Sequence, residues 1–135
     1  MDHLLEEAYA IFSKDRFATE ICGAKIKSIT ENEVVCTMDI TERHYNAAGT
    51  VMGGAIFTLA DFTFAIAANF HKSLTVSLDS QISYLGVAKG KQLISTSKCI
   101  KEGRTTCFYL ISICDELGNQ VADVHITGYI KSRTI

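Results

Sequence analysis

The chain has 135 residues, 47% of them hydrophobic and 21% charged, a balance that suits one folded domain and excludes a disordered chain. Its 13 basic and 15 acidic side chains leave a formal net charge of -2, so nothing draws it to nucleic acid or anionic lipid. The longest apolar stretch, Ala60 to Phe70, contains Asp61, Thr63 and Asn69 and is shorter than a bilayer crossing, so no membrane span is expected.

The first residues, MDHLLEEAYAIF, are acidic early and lack the basic start of a secretory signal, which makes the cytoplasm the expected location. Residues 3–17 read as a helix, with Leu4, Leu5, Ala8, Ile11 and Phe12 at helical spacing. Next comes KIKSITENEVVCTMDI, two strand-like runs about the polar turn Thr30–Glu33, the signature of a hairpin. The KIK of residues 25–27 is a solvated strand face.

A long apolar helix is expected from Gly53 to about Phe70, apolar on every side and therefore buried. After it the hydrophobic period changes to two. The runs at 74–86, 92–101, 105–116 and 120–131 read as strands, with Gly103 and Gly118-Asn119 at turns between the last three. In the last run Ala122, Val124, Ile126 and Ile130 share one face, while Asp123, His125 and Thr127 share the other. Short turns between the runs argue for antiparallel neighbours. No repeat or linker divides residues 1–135, which read as one α+β domain: five or six antiparallel strands around a central helix. A sheet of that size must curl around the helix, or a second subunit must cover it.

Cysteines 22, 36, 99, 107 and 114 are odd in number and form no CxxC pair. They read as small buried hydrophobes in a reducing compartment, most of them in the core. His3, His44, His71 and His125 are scattered, and no metal site is expected.

The residues able to do chemistry converge on NAAGTVMGGAIFTLADFTFAIAANF, Asn46 to Phe70, whose one charged side chain is Asp61. A carboxylate in a partly dry pocket gains basicity; it can activate water or attack a carbonyl itself. It can also be a structural group bonded across an interface. Gly53 and Gly54 lie where the helix begins, so their N–H groups are free to meet an oxyanion or simply to permit a tight turn. Asn46 can donate to a substrate or brace its own loop. In strict alternation Ser77 shares a strand face with Asp79 and Gln81. Phe57, Phe62, Phe64 and Tyr84 read as core rather than as the lining of an acyl pocket.

This stretch resembles the PaaI-like thioesterases of the hotdog fold. Those proteins carry an asparagine, a glycine three residues on, then His-Gly-Gly, then an aspartate eight residues past the first glycine of the pair. The pattern falls on Asn46, Gly49, Gly53, Gly54 and Asp61, with LAD at Leu59 to Asp61. Met52 stands where the group has histidine. The resemblance implies hydrolysis of an aryl or short- to medium-chain acyl-CoA to free acid and CoA. Asp61 would activate water or act as nucleophile, the Gly53 amide would stabilise the oxyanion, and Asn46 would lie beside the carbonyl. Gly54, Gly49, Met52 and Ser77 would contact substrate. No cofactor is implied, since CoA is part of the substrate. It further implies a homodimer, often doubled to a homotetramer, with one chain supplying the aspartate and the other the asparagine–glycine loop. Three alternatives remain: a non-catalytic acyl-CoA binding or sensing protein, which Met52 supports; a hydratase or dehydratase, which would need a histidine in the helix-opening motif; and a structural interaction module, which would leave Asp61 unexplained.

Overall fold

The computed structural model describes residues 2–134, with side chains through Lys131. Helix α1 spans His3–Phe12, with Asp2 capping it by accepting the Leu4 N–H at 2.9 Å. The expected helix over 3–17 therefore ends early. Beyond Phe12 the amides of Lys14 and Asp15 tighten onto Ile11 and Phe12, and a wide π-type turn follows at Phe17–Ile21. Gly23, at φ +81°, then redirects the chain into the first strand.

Strands β1 (Ala24–Ile29) and β2 (Val34–Asp39) form the expected hairpin, closed where the Thr30 N–H meets the Glu33 carbonyl at 2.8 Å. Helix α2 follows at Gly53–Asn69. Then come β3 (Ser73–Tyr84), β4 (Gln92–Glu102), β5 (Thr106–Asp115) and β6 (Gln120–Thr134). One six-stranded antiparallel sheet results, in the order β1-β2-β4-β5-β6-β3. It wraps α2, which packs against every strand. This is the expected hotdog architecture.

The turns near Gly103 and Gly118 join true neighbours, but β3 and β4 are not paired. Their short connection instead crosses the sheet, and β3 becomes an edge strand beside β6. Asn69 makes the turn into it, donating to the Ala65 and Thr75 carbonyls and accepting the Thr75 N–H at 2.7 Å. Cys22, Cys36 and Cys107 are buried, as expected of most of the cysteines, while Cys99 is exposed. No described helix is long and apolar enough to cross a membrane.

Helix α2 is not covered on all sides. Ile56, Leu59, Ala60, Phe62, Thr63, Phe64 and Ile66 are buried, but Gly54 and Asp61 are exposed and Phe57, Thr58 and Ala65 only half-buried. These five positions fall at helical spacing along one stripe. In one chain, then, Asp61 lies on the open face rather than inside the core.

The connection from β3 to β4 is pinned by a carboxylate. Asp115, 1% exposed, accepts the N–H groups of Lys89 and Gly90 from that connection, those of Leu117 and Asn119, and the Asn119 side-chain amide, all within 3.0 Å. The Asn119 side-chain bond, then the backbone donors, hold its pKa well below the usual carboxylate range despite burial. Because the folded-state pKa is depressed, the stabilisation is present above the ordinary carboxylate value and is lost as pH falls below it. Asp115→Asn, which faces these donors with an amide, should lower the melting midpoint at neutral pH by about 5–10 °C and flatten the acid limb of stability. Thermal melts from pH 2 to 7 on both proteins measure this.

Candidate active site

The loop before α2 is built by its own side chains. Tyr45 and Val51 form an isolated antiparallel bridge, and Gly49 takes φ +83° at the turn between them. Asn46 binds this loop at both ends of its amide. Its Oδ1 accepts the Ala48 and Thr50 N–H groups at 2.9 and 3.1 Å, and its Nδ2 donates to Thr50 Oγ1 at 3.1 Å. In one chain Asn46 is thus a loop brace, and it is exposed.

Met52 occupies the N-cap position of α2 and makes no side-chain capping bond. Its carbonyl accepts the Ala55 and Ile56 N–H groups. Among the described hydrogen bonds, the N–H groups of Gly53 and Gly54 find no acceptor, and the helix dipole favours negative charge there. His44 lies against the same end of the helix but has no free nitrogen. Its Nε2 donates to the Cys22 carbonyl at 2.7 Å, and its Nδ1 accepts the Thr41 N–H at 3.0 Å. It therefore cannot serve as a substrate donor in Met52's place.

Two hollows adjoin along the open face of α2. One, of about 500 Å³, is lined by Phe17, Ile21, Cys22, Met52, Gly54 and Thr58, among others. The other, of about 470 Å³, holds Asp15, Arg16, Phe57, Phe62 and Asp61 and shares Phe17 and Thr58 with the first. Solvent reaches Asp61 in one chain, yet its carboxyl lies against the groove wall. Crowding by that wall pushes its pKa above the ordinary value of 3.8, and the charge of Asp15 adds to the effect. Gly53 opens elsewhere, into a hollow of about 340 Å³ with Thr50, Val51, Ile56, Tyr84 and Val87. A larger hollow, about 690 Å³, lies at the opposite end of α2 around Phe70 and Lys72 and contains none of the expected site residues.

Ser77 lies on the edge strand β3, opposite Gly128. The register slips between Ser77 and Asp79, so Leu78 forms a bulge and strict alternation fails. Ser77 therefore shares the helix-facing side with Gly128, where a Cβ would lie 3.1 Å from Phe64 Cζ. Asp79 and Gln81, opposite Thr127 and His125, fall on the outer side. Of the aromatics expected in the core, Phe62 and Phe64 are there, but Phe57 is half-buried and Tyr84 is exposed. Of the residues that line these hollows, Phe17 was not singled out in the sequence, because it fell inside an expected helix, and Tyr84 read as core rather than as pocket lining.

Residues 48–127 match the Thioesterase superfamily. The chain is 32% identical to the acyl-coenzyme A thioesterase PaaI of Escherichia coli, over 87% of this chain and 84% of that protein. It is 30% identical to human acyl-coenzyme A thioesterase 13, over 86% of each. The structure of the E. coli PaaI protein superposes with a TM-score of 0.88 at 25% identity, covering 98% of this chain and 97% of that one. A hypothetical thioesterase protein of Streptococcus pneumoniae, solved with coenzyme A, superposes with a TM-score of 0.76 at 26% identity, covering 83% of this chain and 91% of that one.

The raised Asp61 pKa has a stability consequence. A carboxyl that binds its proton more tightly when folded loses stability as pH rises from 3.8 through the folded-state value. Asp61→Asn removes that cost. It should raise the melting midpoint at neutral pH, with the advantage vanishing below pH 3.8, as paired thermal melts will read.

Proposed function

The chain belongs to the Thioesterase superfamily, and from that membership we propose that it hydrolyses an acyl-CoA to free acid and CoA, with Asp61 as general base. Water attacks the thioester carbonyl carbon while the Asp61 carboxylate takes its proton. The carbonyl oxygen becomes an oxyanion at the Gly53 N–H. On collapse the carbon–sulfur bond breaks, and the departing CoA thiolate recovers the proton from Asp61. The elevated pKa of Asp61 favours this role, since a stronger base holds the proton through the tetrahedral stage.

The observation that carries the assembly is the helix itself. Gly53 and Asp61 are eight residues apart on α2, about 12 Å along the axis, and they line different hollows. One chain cannot set both groups against one carbonyl. The reading therefore takes Asp61 from one chain and the Asn46–Gly49 loop, Met52, Gly53 and Gly54 from its partner. The uncovered stripe of α2 and the edge strand β3, where Val76 and Leu78 are 38% and 61% exposed, supply the contact surface. Ser77, on the helix-facing side of that strand, would then lie near the attacking water. CoA enters only as part of the substrate, and the same reading places the enzyme in the cytoplasm.

Sedimentation at micromolar concentration should show a dimer or tetramer, and a stable monomer would overturn the shared site. Asp61→Asn keeps the shape and removes the base. Turnover should fall by about 10²–10⁴ while oligomer size and affinity for a non-hydrolysable acyl-CoA thioether persist. If D61N hydrolyses the best acyl-CoA at the wild-type rate, Asp61 is not the base. If wild type binds the thioether but cleaves no acyl-CoA, the protein is a binder or sensor.

A further inference from the structure

Tyr84 closes β3 and reaches back to the first turn of α2. Its hydroxyl donates to the Gly53 carbonyl at 3.0 Å. The two residues line the same hollow. The approach is so close that a Cβ on Gly53 would lie 2.7 Å from the Tyr84 hydroxyl oxygen and 2.9 Å from Cζ. Only glycine at position 53 permits this contact, although its φ is not one that requires glycine. Gly54, by contrast, has open space where its side chain would be.

The carbonyl of Gly53 and the N–H of Gly54 belong to one planar peptide unit. A donor on the carbonyl oxygen fixes the plane and draws electron density from the nitrogen, so the N–H at the other end becomes a stronger donor. The preceding unit is held in the same way, because the Met52 carbonyl accepts the Ala55 and Ile56 amides and leaves the Gly53 N–H free. Two adjacent amides at the helix start thus have their carbonyl ends anchored and their N–H ends unpartnered.

We propose that Tyr84 is a positioning residue that orients and polarises the Gly53–Gly54 peptide, making the Gly54 N–H a second oxyanion donor beside that of Gly53. This rests on the thioesterase reading above. It gives the first glycine of the pair a second duty: admitting the Tyr84 ring as well as offering its own amide.

The test joins kinetics with a measurement independent of turnover. Tyr84→Phe removes only the hydroxyl. It should lower kcat about tenfold, the scale of one hydrogen bond acting in the transition state, with KM and the shape of the pH–rate profile unchanged. Gly53→Ala forces the ring away from the carbonyl, so the G53A/Y84F double variant should be no slower than G53A alone. In amide NMR spectra of the intact oligomer, the Gly54 proton should move upfield in Y84F as its peptide loses the donor. An unchanged Gly54 resonance overturns the proposal whether or not any acyl-CoA is cleaved. A shifted resonance with wild-type kcat, or a loss confined to KM or melting temperature, overturns the catalytic part. Absence of turnover in wild type would instead sink the thioesterase reading, leaving the resonance to judge the Tyr84 contact.

Discussion

A 17-residue helix made almost wholly of apolar side chains has to be kept from water by a single sheet, and the sheet covers most of it but not all. Six strands curl about α2, and the stripe through Gly54, Thr58, Asp61 and Ala65 is left uncovered. That residual opening decides where chemistry is possible. A carboxylate enclosed without the ring of donors that Asp115 has would be driven neutral or cost several kcal/mol to keep charged. At the rim of the opening, Asp61 retains access to water while the groove wall raises its basicity. The same opening reaches Gly54 at the start of the helix, while Gly53 faces a separate hollow.

The first turn of α2 depends on contacts from elsewhere in the chain. Met52 is anchored through its N–H to the His44 carbonyl at 2.7 Å, and His44 is fixed by bonds at both ring nitrogens. Asn46 ties the loop from within, and Tyr84 holds Gly53 from the end of β3. The Asp115 cage secures the connection immediately beyond Tyr84, bringing Val87 and Ala88 into the hollow that Gly53 opens onto. The helix start is therefore set by tertiary contacts, which is how a site is kept rigid when its own residues are glycines.

Much of this was legible because period and punctuation agree. Strands β4, β5 and β6 alternate over most of their length, with irregularities at Ile100 and Val121, and are separated by glycine turns, and α2 announces itself by composition. What was hidden depended on partners distant in sequence. Whether β3 pairs with β4 or with β6 cannot be read from a short connection, because seven residues suffice either to turn back or to cross. The bulge at Leu78 reverses the face of Ser77 relative to Asp79 without leaving a mark in the residue pattern. Likewise α1 stops at Phe12, which is buried against Phe70 with ring centroids 6.4 Å apart, whereas Phe17 falls off that apolar face, finds no cover and is 63% exposed. The motif at Asn46, Gly49, Gly53, Gly54 and Asp61 names candidate residues; the fold separates Gly53 and Asp61 into different hollows.

Methionine at position 52 reads differently once the helix start is seen. A serine, threonine or aspartate at an N-cap accepts the N–H of the second or third helical residue and gains about 1 kcal/mol of helix stability. Such a residue would occupy the Gly54 or Ala55 amide with its own side chain. Met52 has no oxygen to offer and leaves the first amides uncapped. The helix forgoes a stabilising cap, and the N–H groups stay available to negative charge arriving from outside. Loss of a histidine donor at this position therefore does not empty the helix start of donors. In the proposed reaction the oxyanion is met by the backbone, whose orientation is held by the Met52 N–H bond to the His44 carbonyl on one side and by Tyr84 on the other.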